Sequence, residues 1–347
     1  MTRPVGTLGR PLAALVGGLV LACAAAGEGP AVNEPPTHLL VVDKSAGQLV
    51  GIDLASGEAA WRVDVGAGPH EVLAVPASSS PTGSPLALVS LYGRRGSPGT
   101  GVAVIDLESR EVVRTVSTRP QTMPHGLALV PGTSTVLVTV EADDAVLAFD
   151  LADDSQRTVY PTGRRQPHMV VAAADGSAAF AANIAGGAVA RLDLRGGAVT
   201  SAEVGAGAEG IALAPGGSEL WVGSNDEDEV HVLSPDDLAP LDVLPTCAVP
   251  IRVTPVGDDL MAVTCYRDDQ VLLFDAASHE RRGSVSLPRG SLPVGTIATP
   301  DGARLFVAAT AGGDVFEVDV ASLSVMRTLP AGREPDGLAL VRLGGDR

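Results

Sequence analysis

From His38 onward the chain is written in short apolar runs broken by Gly, Pro and Asp, with no stretch that keeps the spacing of an amphipathic helix. The clearest runs close on an acid: Leu49-Val50-Gly51-Ile52-Asp53, Val102-Ala103-Val104-Ile105-Asp106, Val146-Leu147-Ala148-Phe149-Asp150, Val189-Ala190-Arg191-Leu192-Asp193, Val271-Leu272-Leu273-Phe274-Asp275 and Val315-Phe316-Glu317-Val318-Asp319. A further copy, Val230-His231-Val232-Leu233-Ser234, closes on Ser. Unbroken apolar runs of this length predict strands, and a closing Asp or Ser can accept backbone N–H bonds and start the next turn. Except in the second copy, another apolar run begins nine residues earlier, from Leu40-Val41-Val42-Asp43 through Phe306-Val307-Ala308-Ala309.

A third element sets the beat. Pro69-His70-Glu71-Val72, Pro124-His125-Gly126-Leu127, Pro167-His168-Met169-Val170, Ala208-Glu209-Gly210-Ile211, Pro250-Ile251-Arg252-Val253, Pro293-Val294-Gly295-Thr296 and Pro335-Asp336-Gly337-Leu338 are seven versions of one start. Their second residues are spaced by 55, 43, 41, 42, 43 and 42 residues. A period of about 40–45 residues with several strands per repeat is the signature of a β-propeller blade. The chain opens on what would be the second strand of a blade, near Leu40, and ends on an unaccompanied first strand, Gly337 to Leu343. The reading is therefore an all-β, seven-bladed propeller of four-stranded antiparallel blades, its closing blade shared by the two ends of the chain. The second repeat, 55 residues against 42, carries its excess in Ala77 to Pro85 and in the basic, Gly-rich Arg94 to Gly101, both expected to protrude as loops.

Composition narrows this further. Hydrophobic residues make up 45% of the chain but aromatics only 3%, so the core must be built of Val, Leu, Ala and Ile, which suits packed sheets. A net charge of −17 excludes an electrostatic grip on nucleic acid or on an anionic membrane surface. The acidic turns Asp143-Asp144, Asp226-Glu227-Asp228-Glu229 and Asp268-Asp269 read as solvated loops rather than cation sites.

Ahead of the repeats, Arg3 and Arg10 precede an apolar run from Leu12 to Ala22, too short for a permanent membrane span; residues 1–22 read as an export signal. The run closes Val20-Leu21-Ala22-Cys23, which resembles a bacterial lipobox, so that Cys23 would carry a lipid; ordinary cleavage after Ala24 to Ala26 is the alternative. Residues 23–37 follow as a polar tether, and 38–347 form the propeller. The expected location is the bacterial cell envelope, in the periplasm or at the outer membrane, with contact to lipid only through the anchor.

The repeat resembles the YVTN family of extracytoplasmic β-propellers, whose units carry a Pro-x-Gly-(Ile/Leu)-Ala start, a Pro-Asp-Gly turn, a Tyr-Val-Thr-Asn strand and a Val-x-x-x-Asp strand. The likeness runs from His38 to Leu343; Pro300-Asp301-Gly302 matches the turn, while no copy spells Tyr-Val-Thr-Asn in full. It implies the fold and an exported setting. Function does not follow from it, because one fold hosts many activities.

No catalytic string is present: there is no Gly-x-Ser-x-Gly, no His-Glu-x-x-His and no phosphate-binding loop. Position is more informative. The first strand of a propeller blade is innermost, so His70, His125, His168, Glu209, Ile251, Val294 and Asp336 should ring the channel mouth, and these seven places hold three of the chain's 6 histidines. Two readings of the cluster stand side by side. In one, His70, His125, His168 and Glu209 ligate zinc, iron or copper, with Asp336 as general acid/base, giving a metal-dependent lyase or hydrolase like streptogramin lyase or the lactonase propellers. In the other, the imidazoles bond neighbouring blades and the protein is a non-enzymatic scaffold. That scaffold would be a monomer binding a partner protein or a small polar ligand at its mouth, where Arg252, Tyr92, Glu141, Asn183, Asn225 and Tyr266 are candidate contacts. Cys247 and Cys265, the remaining cysteines of the exported part, should meet at one face and form a disulfide.

Overall fold

The computed structural model describes residues 35–344. Within them lie 28 strands in seven four-stranded antiparallel sheets arranged as blades. The expectations for residues 1–22, the lipidation of Cys23 and most of the 23–37 tether fall outside the described residues. Blades 1 to 7 are numbered by their inner strands, Pro69–Val75, Pro124–Leu129, Pro167–Ala172, Ala208–Leu213, Pro250–Val256, Pro293–Ala298 and Pro335–Val341. In blade 7 the C-terminal inner strand pairs with His38–Asp43, followed by Gln48–Asp53 and Ala59–Asp64. The register His38↔Val341, Leu39↔Leu340, Leu40↔Ala339 closes the ring by backbone hydrogen bonds between the two ends of the chain.

The unbroken apolar runs become the second and third strands of each blade, which are covered on both faces. Val136, Leu137, Val138 and Val146 in blade 2 are all 0% exposed. The core falls into seven clusters, each made by the facing surfaces of two neighbouring blades. Leu88, Val104 and Val116 of blade 1, for example, meet Val138, Leu147 and Phe149 of blade 2. At roughly 1.5–3 kcal/mol for each fully buried Val, Leu or Phe, these inter-blade layers are the main source of stability. Polar ties stitch the outer parts: Arg191 Nε donates to the Pro235 carbonyl at 3.0 Å, and His279 joins Asp242 at 2.8 Å and Glu219 at 3.0 Å. The Asp that closes the third strand in every blade but the fourth accepts turn N–H groups, as in Ser56 N to Asp53 at 2.7 Å and Ser278 N to Asp275 at 2.9 Å.

Two expectations are corrected. Arg94 to Gly101 is no protruding loop: the strands Leu86–Arg94 and Ser97–Asp106 stay paired out to Arg94↔Ser97, leaving a turn at Arg95-Gly96. Only the Ala77 to Pro85 excess is irregular, holding a single 3-10 turn at Ala77–Ser79. The acidic turns are not merely solvated either. Asp144 accepts Gln166 N–H at 2.8 Å, Asp228 accepts Val249 N–H at 2.9 Å and Asp269 accepts Leu292 N–H at 3.0 Å. Gln166, Val249 and Leu292 each precede an inner-strand proline with φ between 50° and 61°, a left-handed conformation that costs a non-Gly residue on the order of 1–2 kcal/mol. The carboxylates hold these turns in place.

Every inner strand opens with the same irregularity. Two residues oppose one on the neighbouring strand: His70 and Glu71 face Ser90, His125 and Gly126 face Thr139, and Asp336 and Gly337 face Val42. Such a bulge frees both residues from the ladder and re-aims their side chains. The second of the pair is Gly in four copies, and a Cβ at Gly295 would sit 2.0 Å from the Asp336 carbonyl oxygen of the next blade. Gly295→Ala is therefore expected to destabilise by about 1–3 kcal/mol in urea unfolding. Gly312→Ala, whose Cβ meets nothing closer than the Asp314 carboxylate at 3.4 Å, should stay within about 0.5 kcal/mol of the parent; equal effects would show that the inner ring is not tightly packed.

Candidate functional site

The bulges deliver the seven opening residues to the axis, where a cavity of about 260 Å³ is lined by His70, His125, His168, Glu209, Ile251, Val294 and Asp336 together with Lys44, Glu71, Arg252, Tyr266, Thr310 and Glu334. One side of the wall is a run of histidine rings, with Tyr92 packed behind it. Tyr92 and His70 lie 4.7 Å apart, His70 and His125 4.8 Å, and His125 stacks on His168 at 3.8 Å between centroids. His125 Nε2 and His70 Nδ1 share a hydrogen bond of 3.1 Å, and His70 Nδ1 also lies 3.4 Å from Asp336 Oδ2. The opposite side, Ile251 and Val294, is apolar.

His168 is held differently from its neighbours. Its Nδ1 meets Glu141 Oε1 at 2.5 Å and its Nε2 meets Glu209 Oε1 at 3.1 Å, so both ring nitrogens act as donors to carboxylates. Burial opposes the charge, but the hydrogen bonds to Glu141 and Glu209 outweigh it and raise the pKa to about 10. Burial, reinforced by the positive His168, holds His125 well below the usual imidazole range. Burial likewise lowers His70 to about 4 against the pull of Asp336. At neutral pH one imidazolium thus stands beside two neutral imidazoles. Glu141 resists its own burial through hydrogen bonds from His168, from Tyr92 Oη at 2.7 Å and from Gln166 Nε2 at 3.0 Å, which keep its carboxyl below the ordinary value.

One residue further along the inner strands, where four copies have Gly, the other three have Glu71, Met169 and Arg252. These three side chains meet across the axis. Arg252 Nη2 donates to Glu71 Oε1 at 2.8 Å, and its Nη1 lies 3.1 Å from Met169 Sδ. Glu71 and Arg252 line the cavity, and the contact of Arg252 with Met169 carries the bridge across the axis. At the rim, Lys44 Nζ lies 3.3 Å from Asp336 and 3.5 Å from Glu334.

His70, His125, His168, Glu209, Asp336, Arg252 and Tyr266 thus converge on one cavity from six blades. Tyr92 stands behind them against His70 and Glu141, and Asn225 donates to Glu209 Oε2. Asn183 is a correction: it is 0% exposed, with its amide donating to the Ala181 and Ala188 carbonyls inside blade 3, and it does not line the pocket. Cys247 and Cys265 form a disulfide, tying the segment that leads into Ile251 and Arg252 to the strand that ends beside Tyr266. Lys44 and Glu71 enter the site without having been assigned a role from sequence, and Glu141, expected as a ligand contact at the mouth, instead holds His168. Glu71 had a usable signal, since it replaces a repeat glycine as Arg252 does; Lys44 had none.

For a metal, His125, Glu141 and His168 bring ligand-type atoms within 4.8 Å of one another. Two donors at about 2.0–2.1 Å from one ion, set at angles of 90° or more, lie roughly 3 Å apart. The 2.5 Å contact of His168 with Glu141 is instead a proton-holding hydrogen bond, and Glu209 occupies the other nitrogen.

No family model and no curated protein matches this sequence. Solved structures share its architecture. A functionally unknown protein from Desulfotomaculum acetoxidans DSM 771 superposes with a TM-score of 0.71 at 13% identity, over 89% of this chain and 100% of that one. Kuenenia stuttgartiensis hydrazine synthase gives 0.66 at 15% identity over 82% and 93% of the two chains. A streptogramin B lyase structure gives 0.60 at 12% identity over 80% and 89%. At such identities the likeness concerns the fold alone.

The site carries a pH signature. His168 binds its proton more tightly folded than unfolded, so its stabilisation is complete below the unfolded value near 6.5 and is lost as pH rises toward about 10. His70 is lowered, so the unfolded chain binds the extra proton between about 6.5 and 4, and stability falls as pH drops through that window. Urea midpoints measured from pH 4 to 10 should peak near 6.5, and His168→Gln should flatten the alkaline limb. An unchanged alkaline limb in that variant would refute the clamped imidazolium.

Proposed function

We propose that this protein is an exported, envelope-anchored propeller that binds a small polar ligand in its axial pocket without transforming it. The observation that carries this is the pocket itself: about 260 Å³, crossed by the Glu71–Arg252 pair and walled by charged side chains already engaged with one another. Ligand sites are concave, pre-formed and furnished with a few convergent polar groups, and this cavity falls just below their usual range of roughly 300–1,000 Å³. The exported setting rests on the Arg3/Arg10 and Leu12 to Ala22 segment, on Cys23 as lipidation site and on the resemblance to the YVTN repeat. A disulfide between Cys247 and Cys265 is in keeping with an oxidising compartment. A monomer with a partner protein at the mouth is compatible with the same pocket.

The proximity of His125, Glu141 and His168 favours a second reading, a metal-dependent lyase or hydrolase with His70, His125, His168 and Glu209 around the ion and Asp336 as acid/base. The two separate on the purified protein. In the binding reading, elemental analysis finds no stoichiometric zinc, iron or copper, and His125→Ala alters thermal stability only. One metal ion per chain, removed by that substitution, would replace the binding reading with the enzymatic one. Membrane fractionation of a bacterial host expressing the full chain tests the setting: Cys23→Ala should move the protein from the membrane to the soluble envelope fraction.

A further inference from the structure

The charges gathered at the axis do not cancel. Lys44, Arg252 and His168 supply three positive charges, and four carboxylates oppose them: Glu209, Glu334 and Asp336 in the wall and Glu141 directly behind His168. Glu71 adds a fifth carboxyl, whose pKa burial raises against the pull of Arg252, so the axis carries an excess of negative charge even with Glu71 left out. His70 and His125 add nothing, being neutral and hydrogen-bonded to each other. The cations are already taken: Lys44 by Asp336 and Glu334, Arg252 by Glu71, and His168 by Glu141 and Glu209. An excess of carboxylate gathered at a partly enclosed mouth attracts a compensating cation. A second feature marks an unmet polar group: His125, 4% exposed and part of the wall, has an Nδ1 with no hydrogen-bond partner among the described residues, and in the tautomer that donates from Nε2 to His70 this nitrogen is an acceptor for an ammonium N–H.

We infer that the pocket takes a small organic cation, an alkyl mono- or diammonium ion. Its ammonium groups would sit between Glu209 and Asp336, and its carbon chain would lie against Ile251, Val294 and the Tyr266 ring. An organic ion uses features that a bare metal ion leaves idle. The apolar wall covers methylenes, and the rings of Tyr266 and the neutral His70 offer faces to a cation. Four of the six ring nitrogens are already committed to hydrogen bonds: both on His168, and the facing pair on His70 and His125. A cavity of about 260 Å³ limits the guest to a handful of heavy atoms.

This inference rests on the binding reading above, and the experiment keeps the two apart. Isothermal titration calorimetry on the full chain compares four probes: 1,4-diaminobutane, the neutral 1,4-butanediol, the dianion succinate and zinc ion alone. The diamine should bind one per chain, more weakly as salt is raised, and the diol should not bind. Glu209→Gln should weaken the diamine about tenfold or more, as losing a charged partner does. Because Glu209 also holds His168, Tyr266→Ala serves as a second variant that leaves the ion pairs intact and should weaken the diamine while leaving circular dichroism unchanged. Succinate binding without diamine binding would overturn the charge assignment and leave the pocket reading standing. Zinc binding one per chain, abolished in His125→Ala, would overturn it in favour of a metal. No binding by any of the four would remove the pocket reading as well.

Discussion

Everything at the axis depends on how closely neighbouring inner strands approach. Seven sheets can share one axis only if the backbone of each inner strand comes into contact with the next, and the room for a side chain there is small. At Gly126 a Cβ would lie 2.6 Å from the His168 carbonyl oxygen, and at Gly295 only 2.0 Å from that of Asp336. The two-against-one bulge resolves the conflict. It lifts a pair of residues out of each ladder, lets Gly fill the tight place, and turns the residue before it toward the channel. The hydroxyl of Thr139 completes the arrangement in blade 2, accepting the freed Gly126 N–H at 2.8 Å and donating to the His168 carbonyl of blade 3 at 2.8 Å.

Once side chains are gathered this way, they lose most of their water together, and their electrostatics become collective. Three imidazoles at equivalent positions of the repeat end in different states. His168 lies between two carboxylates and keeps its proton, while His125, stacked on that charge and fully enclosed, cannot take one. Where a repeat glycine gives way to Glu71, Met169 or Arg252, the side chains reach toward the axis and meet one another. The resulting chamber is polar, internally paired and net negative, which is the basis for assigning it a ligand rather than a purely structural role.

The repeat was fully legible from the chain: the beat of forty-odd residues, the apolar strands closing on Asp, and the split blade each correspond to an observed element. The channel-facing histidines were legible too, because a mark that recurs once per blade has a fixed place relative to the axis. Other features were not. The acidic turns looked like solvated loops because a carboxylate that holds a distant backbone N–H, as Asp144 holds that of Gln166, is indistinguishable in sequence from one in water. Arg94 to Gly101 carries Gly and Pro and reads as a loop, yet it extends a hairpin whose register is set by the strands beneath it. Asn183 ends a strand at the mouth by spacing, but its side chain turns into the blade.

By itself the sequence determined the number of sheets, the way the ring is closed and which residues open each inner strand, since these follow from periodicity and from local strand and turn chemistry. Only the tertiary structure decided what those residues are to one another. The pairing of Arg252 with Glu71 across 181 positions, the enclosure of Glu141, the protonation of His168 and the neutrality of His70 and His125 all arise from distances of a few ångströms between blades. Coulombic and desolvation effects act over such distances through space, whatever the separation along the chain, and so leave no local trace in the order of residues.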